Sequence, residues 1–178
     1  MTDTVLNVAG VSKRFGGLQA LSDVGISIQR GQVYGLIGPN GAGKTYQPTA
    51  VHEVAKAGIA RTFQNIRLFA EMTALENVMV GRHIRTHSGL IGAMFRTSAF
   101  KTEEAAIAQR AHELLEYVGI GKFADYKART LSYGDQRRLE IARALATDPQ
   151  LIALDEPAAG MNATEKVMLR ELIDRIID

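Results

Sequence analysis

The 178-residue sequence contains no cysteine, and this absence removes several classes of chemistry. Without thiols, the chain forms no disulfide, binds no metal through thiolates and uses no cysteine nucleophile. Its apolar stretches are too short to cross a bilayer. Its first ten residues also lack the basic start and apolar run of a signal peptide. We therefore expect a cytoplasmic protein.

The charge balance also lacks a strong bias, since 21 basic and 19 acidic side chains leave a net charge of +2. Nucleic-acid binding would require Lys and Arg clustered on one face, and the mild basic excess alone says little about partners. We find no internal repeat, low-complexity segment or linker. The hydrophobic content of 46% is enough for one soluble globular domain with a core.

Hydrophobic patterning predicts an α/β fold. Short apolar or alternating runs predict strands at Val5–Val11, Val24–Ile28, Val33–Ile37 and Leu151–Leu154. Helices are predicted to begin at Thr73, Thr102, Ser132 and Asn162. Because strands and loops lie at both ends and helices in the middle, we expect a core lobe at about 1–65 and 147–178. A helical subdomain at about 66–146 would be inserted into it.

Residues 38–45 read GPNGAGKT and match the phosphate-loop pattern G-x-x-x-x-G-K-[ST] at every fixed position. The glycines let backbone N–H groups turn inward as an anion nest. Lys44 can reach the terminal phosphates, and the Thr45 hydroxyl can hold Mg²⁺. A simple Gly-rich turn is the alternative, but the preceding apolar run favours nucleotide binding. The residues predicted to contact the nucleotide are Gly38, Pro39, Asn40, Gly41, Ala42, Gly43, Lys44 and Thr45.

Two carboxylates, Asp155 and Glu156, follow the apolar run Leu151–Leu154. The carboxyl ends of strands are where open α/β sheets bind their ligands. Asp155 is predicted to hold Mg²⁺, and Glu156 to orient and deprotonate the attacking water. A solvated strand end is the alternative, but a phosphate loop in the same chain favours a catalytic site.

The segment LSYGDQ, residues 131–136, begins a predicted helix. Ser132 is its predicted N-cap, and Asp135 is the residue expected to pair with that cap. It resembles the signature motif of ABC ATPases, usually LSGGQ, in sequence and in its place between phosphate loop and acidic strand. Tyr133 and Asp135 depart from that motif, whereas Ser132 and Gly134 are retained. The resemblance implies that Ser132 and Gly134 contact ATP held by a second subunit in a head-to-tail dimer.

Other positions also resemble this family, and they occur along the chain in the order usual for it. Phe15 resembles the aromatic residue that stacks on adenine, with a core Phe as the alternative. Gln64, in RTFQN, resembles the Q-loop glutamine that approaches Mg²⁺ and water and couples to the membrane subunits. Asn162 stands in the D-loop position where Asp is usual, and a helix N-cap is its alternative role.

The segments RTFQNIRLF, MTALENV and LSYGDQRRLEIARALATDPQLIALDEPAAGMN, with the insertion at 81–101, resemble ATP-binding subunits of branched-chain amino acid (Liv-type) importers. The resemblance covers nearly the whole chain. It implies an ATPase that powers an importer with ATP and Mg²⁺, using Glu156, Lys44 and Gln64 for catalysis and Thr45, Asp155 and Gln64 at the metal.

The same resemblance implies partners and a location. It implies a second ATPase subunit, identical or paralogous, and membrane permease subunits, with no nucleic acid. The protein would be cytoplasmic and peripheral on the inner face of the cell membrane. Two alternatives stay open: an ABC ATPase of DNA maintenance or translation, and a non-hydrolysing nucleotide-binding module. The absence of sustained heptads and of a second ATPase domain argues against the first.

The residues after Thr45 do not fit a complete phosphate-loop fold. A helix must follow this loop with its N-terminus at the phosphates, yet Tyr46-Gln47-Pro48 disfavours one. None of the four histidines follows Asp155, although the family has a switch histidine there. We hypothesise that this sequence joins parts of a longer chain and leaves out a segment after Thr45 and the C-terminal end. A true deletion is the alternative, and it would favour the binding module.

Overall fold

The computed structural model describes residues 3–15, 18–35, 53, 55, 57–64, 66–83 and 98–177. The chain divides into two units, one of Met1–Thr49 with Ile173–Asp178 and the other of Ala50–Leu172. The predicted division into a core lobe and a helical subdomain stays a prediction. No helix among the described residues is both long and apolar enough to cross a membrane.

The first unit contains an antiparallel hairpin of β1 (Thr4–Phe15) and β2 (Leu18–Gln29). Both predicted strands are confirmed, although each is longer than its apolar pattern. After β2, the Gln32 amide donates to the Gln29 carbonyl and closes a turn. The strand predicted from Val33 is wrong for residues 33–35, which form no strand and are exposed. Residues 36–37 lie outside the described residues.

The second unit contains a parallel pair of short strands, β3 (Ile59–Arg61) and β4 (Leu151–Ala153). The chain between them includes the three helices described next, and a parallel pair needs such a crossover. Strand β4 confirms the predicted strand, but its residues are half-buried or exposed rather than buried. In the described residues it pairs on one side with β3, and this leaves much of its surface uncovered.

Three helices supply the core of the second unit: α1 (Ala74–Arg82), α2 (Ser98–Tyr117) and α3 (Tyr133–Leu145). Helix α1 packs against both α2 and α3. The predicted face of α2 is buried, and α2 begins four residues earlier than predicted. The side chains that form this core are Ala74, Val78, Ile107, Ala111, Leu114, Leu115, Val118, Ile120, Leu139, Ile141 and Ala142.

Local signals determine where these helices begin and end. Thr73 caps α1 in a capping box with Glu76, and Ser132 caps α3. The last helix, α4 (Ala163–Ile177), follows Asn162, whose Oδ1 accepts from the Glu165 amide at 2.9 Å. Gly119, at φ +78°, follows α2 in the left-handed region that glycine tolerates best. Apart from the start of α2, these helix boundaries agree with the sequence patterns.

Replacing Val78 by Ala should lower the free energy of unfolding by about 2 kcal/mol, because two buried methyl groups are lost and a cavity remains. Val78 is fully buried on α1, whereas Val167 on α4 is 58% exposed. Val167→Ala is therefore the matched control, with an expected change within about 0.5 kcal/mol. Urea unfolding measures both variants, and equal losses would contradict the assigned core.

Candidate functional site

Two predicted catalytic residues meet at one edge of the β3–β4 pair. Because the strands are parallel, the residues that follow them leave at the same edge. Gln64 follows β3 and Glu156 follows β4. The Gln64 Nε2 donates to Glu156 Oε2 at 3.0 Å, across 92 positions of sequence. The fold therefore joins a carboxylate and an amide that could together hold a water molecule.

Asp155 lies beside this pair in a more enclosed position. Its side chain is 19% exposed, and its Oδ2 accepts from Arg61 Nη2 at 3.0 Å. Its backbone N–H donates to the Oγ1 of buried Thr62 at 3.3 Å. Since the Thr62 amide in turn donates to the Ala153 carbonyl at 3.0 Å, the two strand ends are tied together beyond the last paired residues.

Glu156 has an unusual backbone conformation, with φ at +44°. A non-glycine residue in this region carries a cost of order 1 kcal/mol or more, and such residues cluster at functional sites. Its side chain is exposed. Asp23 and Asp148 share this conformation, and Glu156 is the one of the three that lies at the predicted site.

The oxygen donors at this edge suit Mg²⁺. Magnesium ions in nucleotide sites are held by one or two carboxylates together with phosphate oxygens and waters. Asp155 supplies such a carboxylate and already attracts a cation, the Arg61 guanidinium. No group of three or more His, Asp or Glu among the described residues could hold a metal alone. The donor set therefore fits an ion that relies on phosphates and water for its other ligands.

Part of the predicted site cannot be placed. The phosphate loop, Gly38–Thr45 with Lys44, lies outside the described residues. Phe15 ends β1, and its side chain is likewise outside them. The roles predicted for these residues stay predictions.

The signature-like segment forms the start of α3. The Ser132 Oγ accepts from the Asp135 amide at 3.1 Å and donates to Asp135 Oδ2 at 2.6 Å, as the N-cap interpretation predicts. A Cβ on Gly134 would lie 2.6 Å from Glu165 Oε1, so a larger residue there would require the Glu165 side chain to shift. The contact of Ser132 and Gly134 with a nucleotide stays a prediction.

Tyr133, where the family usually has glycine, has a defined neighbour. A Cβ on Gly160 would lie 3.2 Å from the Tyr133 ring, and Gly160 has φ +75°. The tyrosine ring therefore lies over a backbone that has no side chain, within the D-loop-like segment 158–162. This contact explains how the larger residue is accommodated.

Sequence reasoning missed a buried ion pair on α3. Arg137 and Glu140 are 0% and 2% exposed and lie 2.8 Å apart, Nη1 to Oε2. Glu140 also accepts from the Phe63 amide, and Arg137 donates to the carbonyls of Phe63 and Gln64. The only available signal was a pair of opposite charges at i and i+3 next to Leu139 and Ile141, a pattern usually read as a solvated face.

Comparisons with known proteins agree with these motifs. Residues 47–159 match the family model described as ABC transporter. The chain is 42% identical to the high-affinity branched-chain amino acid transport ATP-binding protein BraF of Pseudomonas aeruginosa, covering 99% of this chain and 78% of that protein. It is 40% identical to LivG of Escherichia coli, which has the same descriptive name, covering 97% and 77%.

The BraF alignment extends over 199 residues, more than the 178 of this chain. That relative therefore has residues within the matched region that this chain lacks, which agrees with the expected missing segment.

Solved structures show the same fold. The ADP conformation of MJ1267, an ATP-binding cassette of an ABC transporter, is 30% identical with a TM-score of 0.77, covering 99% of this chain and 78% of that one. A dimeric post-hydrolysis state of the cassette MJ0796, bound to ADP and Pi, is 25% identical with a TM-score of 0.74, covering 97% and 82%. The chain belongs to the ABC transporter family and has the P-loop ATPase fold of its cassettes.

Proposed function

We propose that this chain is the ATP-binding and ATP-hydrolysing subunit of a membrane importer for branched-chain amino acids. The contact between Gln64 and Glu156 at the ends of two parallel strands carries the proposal, because it joins a base to a water-orienting amide. The names of BraF and LivG, both branched-chain amino acid transport proteins, support the substrate class.

The chemistry follows from the residues at this edge. Glu156 takes the proton of the attacking water, and Gln64 orients that water against it. Lys44 and the loop amides bind the phosphates and stabilise their charge. Asp155, with Thr45 and Gln64, would hold Mg²⁺, which when bound neutralises charge on the phosphates. The exposure of Glu156 lets substrate reach the base without rearrangement of the core.

A complete site needs a second subunit, identical or paralogous. Ser132 and Gly134 would contact the nucleotide that the partner holds, since a helix N-terminus offers free N–H groups and partial positive charge. The dimer of the cassette MJ0796 supports this arrangement. Membrane permease subunits would be the further partners, and they would hold the protein at the cytoplasmic face of the membrane.

Two other functions are weaker candidates. The names of the curated relatives describe transport, which disfavours an ATPase of DNA maintenance or translation. A non-hydrolysing binding module is favoured by one observation, the helix-disfavouring sequence Tyr46-Gln47-Pro48 after the phosphate loop. Measuring turnover in the native protein distinguishes the module from the ATPase.

Replacing Glu156 by Gln should abolish most hydrolysis, lowering kcat about 100-fold or more because a general base is lost. ATP affinity should stay near the wild-type value, since the amide keeps the size of the side chain. Phosphate release and binding of a fluorescent ATP analogue measure the two effects. Glu113→Gln, on the exposed Arg110–Glu113 pair of α2, is the matched control. Substantial and equal turnover in wild type and Glu156→Gln would refute Glu156 as the base, whereas no turnover in either would favour the binding module.

Replacing Arg61 by Gln should lower the Mg²⁺ concentration for half-maximal hydrolysis by up to about fivefold, because the guanidinium competes with the metal for Asp155 and the pair is partly exposed. A magnesium titration of ATPase activity measures the shift. Arg30→Gln removes an exposed Arg–Asp pair with Asp3 and should leave the titration unchanged. A rise in the magnesium requirement would show that Arg61 assists the metal instead.

Cells that carry this ATPase with its permease and binding protein should take up labelled leucine, and Glu156→Gln should stop that uptake. Labelled ribose is the matched competing cargo. A ribose import ATP-binding protein of Burkholderia ambifaria is 30% identical to this chain in an alignment that covers 96% of it. Uptake of ribose without leucine would refute the amino acid proposal and leave the transport function intact.

A further inference from the structure

We propose that Arg137 and Glu140 are positioning residues that hold the backbone of the Q-loop segment, Phe63 and Gln64, against the signature helix α3. The inference rests on the proposed function, because it says how the water-orienting Gln64 is kept in place. Neither residue touches Glu156 in the described contacts, so both would act through Gln64.

The Arg137 guanidinium bonds to two consecutive carbonyls of the segment. Its Nη1 donates to the Phe63 carbonyl at 2.7 Å, and its Nη2 donates to the Gln64 carbonyl at 3.0 Å. A planar fork can bridge two acceptors in fixed geometry, whereas the point charge of a lysine cannot. The direction of the backbone at Gln64 is thus set from the helix.

Glu140 holds the same segment through the backbone N–H of Phe63. Its Oε1 accepts from the Phe63 amide at 3.2 Å, and its Oε2 accepts from Arg137 Nη1 at 2.8 Å. Both the N–H and the carbonyl of Phe63 are therefore bonded to one buried ion pair. The side chains of Phe63 and Gln64 are exposed, so these backbone bonds attach the segment to the buried part of α3.

The same guanidinium also reaches the signature-like motif. Arg137 Nη2 lies 3.3 Å from Tyr133 Oη, and the Tyr133 ring lies against Gly160. Arg137 therefore bonds the Q-loop segment to the start of α3. The start of α3 in turn packs on the D-loop-like segment through Tyr133 and Gly160.

The energetics indicate a positioning role rather than a stabilising one. Buried ion pairs lose much of their Coulomb attraction to desolvation, and apolar replacements are often as stable. The Arg137 Nε is buried, and it has no hydrogen-bond partner among the residues that the structure describes. An arrangement that leaves a buried donor unpaired is not optimised for stability. The ion pair instead fixes the position of the Q-loop backbone.

The test compares the double variant Arg137→Met/Glu140→Leu with wild type and with Arg110→Met/Glu113→Leu. The control removes an Arg–Glu pair at the same i,i+3 spacing from an exposed face of α2. Melting temperature, ATP affinity, kcat and hydrogen exchange of a peptide spanning 59–67 are measured. Because the apolar residues replace the pair with similar volume, we expect the melting temperature to stay near that of wild type.

The expected result is faster exchange in the 59–67 peptide and a kcat about tenfold to a hundredfold lower, since small misplacements of a catalytic group cost this much. KM for ATP should change by less than about threefold, because the phosphate contacts are intact. The exposed control should match wild type in every measurement. Wild-type exchange and wild-type kcat in the double variant would overturn the proposal.

Two further arms keep the result decisive. If the double variant does not fold, Arg137→Lys replaces it. That variant keeps a charge beside Glu140 but lacks the planar fork that donates to the two carbonyls from two nitrogens, so wild-type kcat and exchange would overturn the proposal. If wild type itself hydrolyses no ATP, the proposed function fails and the catalytic role with it. The hydrogen-exchange rate of the 59–67 peptide then still tests the anchoring. Faster exchange in the variant supports anchoring by the ion pair, and an unchanged rate overturns it.

Discussion

The candidate site depends on one interaction, the parallel pairing of β3 with β4. Only three residues pair on each strand, yet this register sends the chain after Arg61 and the chain after Ala153 to the same edge. A one-residue slip would turn the alternate side chains of a strand to the opposite face, and Gln64 would no longer meet Glu156. The bond between the Thr62 amide and the Ala153 carbonyl extends this register into the loops.

Strand pairing alone does not fix a side chain three residues beyond a strand. A loop segment with exposed side chains is free to move unless its backbone is bonded, and here buried side chains of α3 supply the bonds. The same logic applies to Glu156, which keeps a strained φ because the chain on either side of it, β4 and the turn before α4, is held. At Gln64 and at Glu156, stability is given up to fix the position of a polar group. The two side chains are joined by one hydrogen bond.

The sequence predicted what is encoded locally. The caps at Thr73, Ser132 and Asn162 follow from residues three positions apart, and Gly119 follows from its own conformational freedom. The exposure of β4 was not predictable, because an apolar run does not reveal how many strands flank it. Arg137 was missed because the carbonyls it binds lie 73 and 74 positions away. From sequence alone, a charged residue on a helix is predicted to be exposed, because its distant backbone partners are not visible in the local pattern.

The departures from LSGGQ have a physical consequence at the start of α3. Asp135 Oδ2 accepts a hydrogen bond from the Ser132 hydroxyl at 2.6 Å, so this hydroxyl is already engaged within its own chain. A phosphate held by a partner subunit would have to replace Asp135 as its acceptor and would meet a second negative charge. Arg138, whose Nη2 lies 2.8 Å from Asp135 Oδ1, offsets that charge. Under the proposed function, Ser132 would release Asp135 when a phosphate binds, at little net cost in hydrogen-bond energy because one charged acceptor replaces another. Asp135 would then hold the hydroxyl at the helix N-terminus only while no phosphate is bound.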